Sequence, residues 1–186
     1  MTRIAPLEAP FEPAVAERLA LMMPKGAPPI ALFRTFVRNM PMAEAMNSWG
    51  GYELSARLSL TMRQRELVID RITALCRCEY EWGVHVLFFA DRVGLSAAQV
   101  TSLTHGSSSD ACWTAPDEQA LLAFVDQLHT GATVDDATWA CATAHFSDAQ
   151  LLDVCLLAGW YHAISFAANA AQVRREDGAP RFADVA

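Results

Sequence analysis

The sequence lacks both Cys-x-x-Cys and His-x-x-x-His pairs. Their absence removes the spacings that mark a paired-ligand zinc site or an ordinary dithiol redox motif. The five cysteines (76, 78, 112, 141 and 155) are odd in number, so they cannot all pair within one chain, and a reduced, cytoplasmic setting is expected. No secretory signal opens the chain: "MTRIAPLEAPFEPAV" has Pro and Glu where an apolar run should sit. Strand-type alternation is nearly absent, which argues against a sheet. Basic stripes are missing too and the formal net charge is −7, so nucleic acid is not an expected partner, although a single Arg can still receive a small anion.

Helix signals fill the chain instead. Thr61 with Gln64, Ser96 with Gln99 and Ser147 with Gln150 each have the spacing of a capping box. Pro29 suits the first turn of a helix that stops before Pro41, and a second short helix over Pro41–Trp49 is expected to end at Gly50-Gly51. Seven to nine helices with short connections predict an all-α bundle. Residues 1–28 read as an N-terminal extension, 29–175 as the helical domain and 176–186 as a C-terminal tail. The stretch "LLDVCLLAGWYHAISFAANAAQV" is long enough to span a membrane, but it carries Asp153, His162 and Asn169. It is expected to be a buried helix, with no membrane partner, whose small residues admit another helix at a subunit contact. Cys141 and Cys155 are expected to be inert core thiols.

The segment "RCEYEWGVHV" places a thiol, two carboxylates, a phenol, an indole and an imidazole directly before an apolar run. On one continuous helix, Glu81 would lie about 60° and His85 about 20° from Cys78, with Trp82 on the same side. Cys76 and Tyr80 would face the other way. A His or Cys on such a face often only packs, but burying three ionisable groups together costs several kcal/mol, which favours a functional site. Cys78, Glu81 and His85 could in principle hold a metal; without paired-ligand spacing, no metal and no cofactor is assigned.

"RELVIDRITALCRCEYEWGVHV" resembles the core motif of the carboxymuconolactone decarboxylase family, which includes the alkylhydroperoxidase D-like proteins. Glu66 precedes Cys78 by twelve residues and His85 follows Cys78 by seven, as in that motif. "ALFRTFVRNMP" and "DAQLLDVCLLAGWYHAISFAANAA" resemble the flanking helices, so the likeness covers about residues 30 to 173. The resemblance implies an all-α bundle of the alkylhydroperoxidase D-like type, assembled as a homo-oligomer, a trimer or hexamer, with sites near subunit contacts. It also implies a chain break between Glu66 and Cys78, because twelve residues of straight helix would turn Glu66 about 120° away. Cys78 at a new helix N-terminus would gain from the dipole, and its pKa should fall. The departure from the family is Glu81, which stands where the redox-active branch has its second cysteine.

The expected function is that of a cofactor-free enzyme acting on a small molecule: acid/base decarboxylation of a carboxylated lactone or related acid. Glu66, Cys78, Glu81 and His85 are the expected catalytic residues, with His85 as proton donor. Tyr80, Trp82, Tyr161 and His162 are expected to border the substrate, and Arg65, Arg71 or Arg77 to hold its carboxylate. The alternative is a single-cysteine, peroxiredoxin-like alkylhydroperoxidase that uses Cys78 with an external thiol. A third reading is a non-catalytic ligand-binding or assembly protein.

Overall fold

The computed structural model describes residues 2–185. Among them the chain forms α1 (Pro13–Met22), α2 (Ala31–Phe36), α3 (Met40–Glu53), α4 (Met62–Leu75), α5 (Glu79–Phe89), α6 (Ala97–His105), α7 (Pro116–Gly131), α8 (Asp136–Thr143), α9 (Asp148–Ala171) and a 3₁₀ turn over Phe182–Val185. The fold is all-α, as expected. All three capping boxes are formed, at the starts of α4, α6 and α9.

Two expected boundaries move. The helix before Pro41 is only one and a half turns, and α3 starts at Met40 on an Asn39 cap with Pro41 in its first turn, where a missing N–H is harmless. Gly50 and Gly51 do not end α3; the helix continues to Glu53. Gly50 faces the Trp160 ring of α9, which a Cβ at this position would meet at 3.4 Å.

Helix α4 runs through the centre, packed on α5, α6, α7 and α9. Every residue from Arg65 to Ala74 is buried, so its charged side chains must find partners inside the protein. Leu67, Val68, Ile69 and Ile72 build the main core with Trp82, Leu121, Phe124, Val154 and Leu157. Arg71 ties the helix to α7 through Asp126 at 2.6 Å and to the end of α6 through the Leu103 carbonyl at 3.0 Å.

Both terminal segments lie on this body. Helix α1 packs on α2 and α3. The segment after α9 crosses α5 at Gly83, where a Cβ would meet the Pro180 carbonyl oxygen at 2.8 Å, so only glycine admits the crossing. Helix α9 is long and apolar enough to cross a membrane, yet half of its most apolar stretch is buried in the fold. Its Asp153 is satisfied internally, accepting from the Tyr52 hydroxyl at 2.7 Å and from the Ser59 amide and hydroxyl at 2.8 and 2.6 Å.

Candidate active site

The expected chain break is present. Helix α4 ends at Cys76, and Arg77 takes the left-handed conformation at φ 53°. The Cys78 amide then donates to the Thr73 carbonyl at 2.8 Å and the Arg77 amide to Ala74 at 2.9 Å, which is the Schellman pattern. Helix α5 starts anew with Cys78 as its N-cap. Arginine fills a position that favours glycine, which is why neither Gly nor Pro marks the break.

This turn brings Glu66 to His85. Glu66 Oε2 lies 2.7 Å from His85 Nδ1, and Glu66 Oε1 receives Arg65 at 2.6 Å. Glu66 is completely buried, and His85 and Arg65 nearly so. One turn before His85 on α5, Glu81 places Oε2 3.9 Å from His85 Nε2, too far for a hydrogen bond. The Nε2 side of the imidazole is therefore free to serve another atom. The His85 ring lies over Phe89 and meets the Tyr161 ring edge-on at 5.1 Å.

Electrostatics sort these groups. Burial alone would raise the Glu66 pKa, but the charges and hydrogen bonds of His85 and Arg65 outweigh it and hold the carboxyl below its usual range. Burial alone would lower the His85 pKa, but Glu66, Glu81 and Asp70 outweigh it and favour the imidazolium. Glu81 is shifted up by burial, against the pull of His85. Asp70, one turn after Glu66, is pushed well up by burial and by the Glu66 charge, and its carboxyl has no hydrogen-bond partner among the described residues. The result is a Glu66 biased towards the carboxylate between Arg65 and His85, flanked by acids biased towards their neutral form.

Cys78 departs from expectation. Its thiol is fully buried, among Leu32, Phe36, Val84 and Ile164. Burial pushes its pKa up to about 11, although the Glu81 amide, the Ser165 hydroxyl and the Tyr80 amide pull the other way. The helix N-terminus loses here because desolvation of a thiolate costs more than a dipole returns. As an N-cap, Cys78 also has non-helical backbone angles (φ −93°, ψ 79°), so the rotation computed for a continuous helix does not apply to it. Cys78 adjoins Glu81 and Ser165, while His85 adjoins Glu66, Glu81 and Tyr161; Glu81 is common to both groups.

The expected substrate-bordering residues separate. Tyr161 lines a cavity of about 280 Å³ with Phe33, Met46, Gly50, Trp160 and Ile164 and also meets the His85 ring; His85 itself is not in the cavity wall. Burial and the nearby Glu81 and Glu66 charges hold its hydroxyl protonated, as a donor. Tyr80 is not brought there: its hydroxyl accepts from the Leu32 amide at 2.9 Å and donates to Glu176 at 2.6 Å. Trp82 is fully buried in the main core, its ring 5.0 Å from Phe182. His162 lies elsewhere on α9, beside His129 and Phe166. A larger cleft of about 510 Å³, flanked by Arg34, Arg174 and Arg175, has none of the expected site residues in its wall.

Of the three arginines weighed for a substrate carboxylate, only Arg65 stands in the buried cluster. Arg71 is engaged by Asp126, and Arg77 is exposed at the turn. Two acids escaped sequence reasoning. Asp70 could have been found, since it follows Glu66 by four residues and so shares its helix face. Glu53 carried no signal; it is fully buried at the end of α3, its carboxyl has no partner among the described residues, and burial followed by the Asp153 charge raises its pKa to about 7. Cys141, expected in the core, is exposed, and Cys155 is half-buried.

The all-α fold that carries this buried Glu–His pair and a cysteine at a helix break is of the alkylhydroperoxidase D-like type. Solved structures agree on the fold. An uncharacterized peroxidase-related protein from Ralstonia eutropha JMP134, described as an alkylhydroperoxidase AhpD core, superposes with a TM-score of 0.78 at 16% identity, over 94% of this chain and 93% of that one. The debrominase Bmp8 superposes with a TM-score of 0.74 at 16% identity, over 100% and 99% of the two chains. A peroxidase-related protein from Silicibacter sp. TM1040 gives 0.72 at 15% identity, over 96% of each chain. No curated protein matches the sequence. Residues 41–127, which hold Glu66, Cys78, Glu81 and His85, match the model of the carboxymuconolactone decarboxylase family.

Proposed function

We propose that this chain is a cofactor-free acid–base enzyme of the carboxymuconolactone decarboxylase type, acting on a carboxylated lactone or a related small acid. The observation that carries this reading is the buried Glu66–His85 pair at 2.7 Å, which leaves His85 Nε2 uncommitted beside Glu81. Arg65 and the imidazolium form of His85 oppose the one negative charge of Glu66, and the raised pKa values of Glu81 and Asp70 bias them towards neutrality, so the cluster is disposed to receive an anion. In the reaction the bond from the ring to the carboxylate breaks, CO₂ leaves, and its electron pair passes into the conjugated lactone as an enolate. Tyr161, a protonated donor at the cavity wall, stabilises that enolate, and His85 Nε2–H returns a proton to carbon. Glu66 fixes the imidazole orientation and Glu81 reprotonates it. The cavity suits a molecule of a few ring atoms, and Tyr161, in its wall, is in ring contact with His85.

The test is decarboxylation of carboxylated lactones, followed as CO₂ release, by wild type, His85→Gln and Glu66→Gln. Turnover by wild type that falls about 10²–10⁴-fold in His85→Gln supports the reading. Turnover that survives in His85→Gln sinks it.

A second reading is kept by one observation: the break at Arg77 leaves the Ser165 hydroxyl facing both Cys76 and Cys78. In that reading Cys78 sulfur attacks a hydroperoxide, the O–O bond breaks, the alcohol leaves and a sulfenic acid forms. An external thiol condenses with it, releasing water, and a second thiol reduces the mixed disulfide. The raised Cys78 pKa weighs against it at neutral pH. Peroxide consumption with a small thiol, abolished by Cys78→Ser, would put this reading first. We also propose a trimeric or hexameric assembly through the exposed apolar side of α9, where Leu152, Leu156 and Phe166 stand free, in a reducing cytoplasm; light scattering reads the mass directly.

A further inference from the structure

Three helices converge on a second group of side chains, which shares no residue with the acid–base pair. Cys76 caps the end of α4, His129 lies in the last turn of α7, and His162 lies in the middle of α9. Their ligand atoms all lie within 4.8 Å of one another, with Cys76 Sγ 3.9 Å from His129 Nδ1. We propose that Cys76, His129 and His162 form a binding site for a zinc-class divalent cation, with its fourth position open to solvent.

The geometry favours a metal over a packed cluster. A tetrahedral zinc with bonds of about 2.0–2.3 Å sets its ligand atoms roughly 3.3–3.7 Å apart. The Cys76–His129 separation is already near that, and no pair among the three ligand atoms exceeds 4.8 Å. The two imidazoles lie face to face, with ring centres 5.2 Å apart and planes 28° from parallel. One thiolate and two imidazoles are the donor set of a borderline-soft ion, not of calcium or magnesium.

The surroundings suit the role. All three residues are half-buried, so an ion can reach them without opening the core. The Cys76 carbonyl is held by Asn169 Nδ2 at 3.0 Å, which fixes the end of α4 against α9. Ser165, on the next turn of α9 after His162, faces the Cys76 thiol, and Phe166 covers His162 at 4.6 Å between ring centres. An ion here would clamp α4, α7 and α9, the three helices that form the centre of the fold. It would also occupy Cys76, leaving Cys78 without a neighbouring thiol free to react.

The probe is cobalt(II), titrated into the reduced, metal-stripped full-length protein and followed by absorption, then displaced by zinc. Wild type should take up one equivalent, giving tetrahedral visible bands and a thiolate-to-cobalt charge-transfer band. Cys78→Ser should keep both, whereas Cys76→Ser should lose the charge-transfer band. His129→Gln and His162→Gln should each bind at least about tenfold more weakly. Circular dichroism on each variant separates loss of a ligand from loss of the fold, and the two histidine variants, at half-exposed positions, keep the test open if Cys76→Ser does not fold. No tetrahedral spectrum from folded wild type, a charge-transfer band that survives in Cys76→Ser, or one that disappears in Cys78→Ser would overturn the proposal.

Discussion

The two ends of α4 treat buried charge in opposite ways. Towards its C-terminal half, Arg71 is matched to Asp126 and to carbonyls at the end of α6, and its demands are met. Towards its N-terminal half, Glu66 serves both Arg65 and His85, while Asp70 one turn on, Glu81 and nearby Glu53 add acids that lack a short partner among the described residues. A structural ion pair closes its account locally. A surplus of acids around one imidazole costs stability, and such a surplus is characteristic of sites that move protons.

The contrast is sharpest in the effects of removing each pair. His85→Gln should lower kcat/KM on the decarboxylation substrate about 10²–10⁴-fold while changing the denaturation midpoint little; a variant that unfolds instead makes the pair structural. Arg71→Ala should do the reverse. It leaves Asp126 without its cation and should cost about 3 kcal/mol in urea unfolding, with turnover per folded molecule unchanged. A loss below about 1 kcal/mol would show that the strut carries no weight.

The surplus acids give a pH signature. The folded pKa of Glu53 is raised to about 7, above its unfolded value, so its contribution is intact in acid and is lost as pH rises through the range between the two. Glu53→Gln should therefore match wild type near pH 4 and exceed it by about 1–2 kcal/mol at pH 8. Asp70→Asn should move in the same direction, since the Asp70 pKa is also raised. Equal stability gains at both pH values would deny that these acids titrate inside the fold. The smallest effect is expected at the joint next to the second half of α4. Arg77→Gly relieves the left-handed backbone and should stabilise by about 1 kcal/mol, read as a shift in Tm.

Much of the frame was legible because it rests on contacts between near neighbours in the chain. The capping boxes at Thr61, Ser96 and Ser147 are three-residue patterns that need no tertiary partner, and each forms as read. The Glu66–Cys78–His85 spacing pointed to a break, and Arg77 provides it. The misreadings lie where partners are distant. Gly50-Gly51 reads as a terminator until Trp160 arrives from α9, and Tyr80 reads as a substrate contact until Glu176 takes its hydroxyl. The lowered Cys78 pKa fails for the same reason, since burial by Leu32, Phe36 and Ile164 outweighs the local dipole.

By itself the sequence determined an all-helical chain, the placement of its caps and the set of reactive groups around residues 66–85, because propensity, capping and spacing act over a few residues. Tertiary structure alone decided which of those groups meet. It paired Glu66 with His85, put Tyr161 at the cavity wall, sank Cys78 and gathered Cys76, His129 and His162 from three helices. Burial, charge proximity and ligand geometry depend on distances between remote parts of the chain, and those distances exist only after the helices have packed.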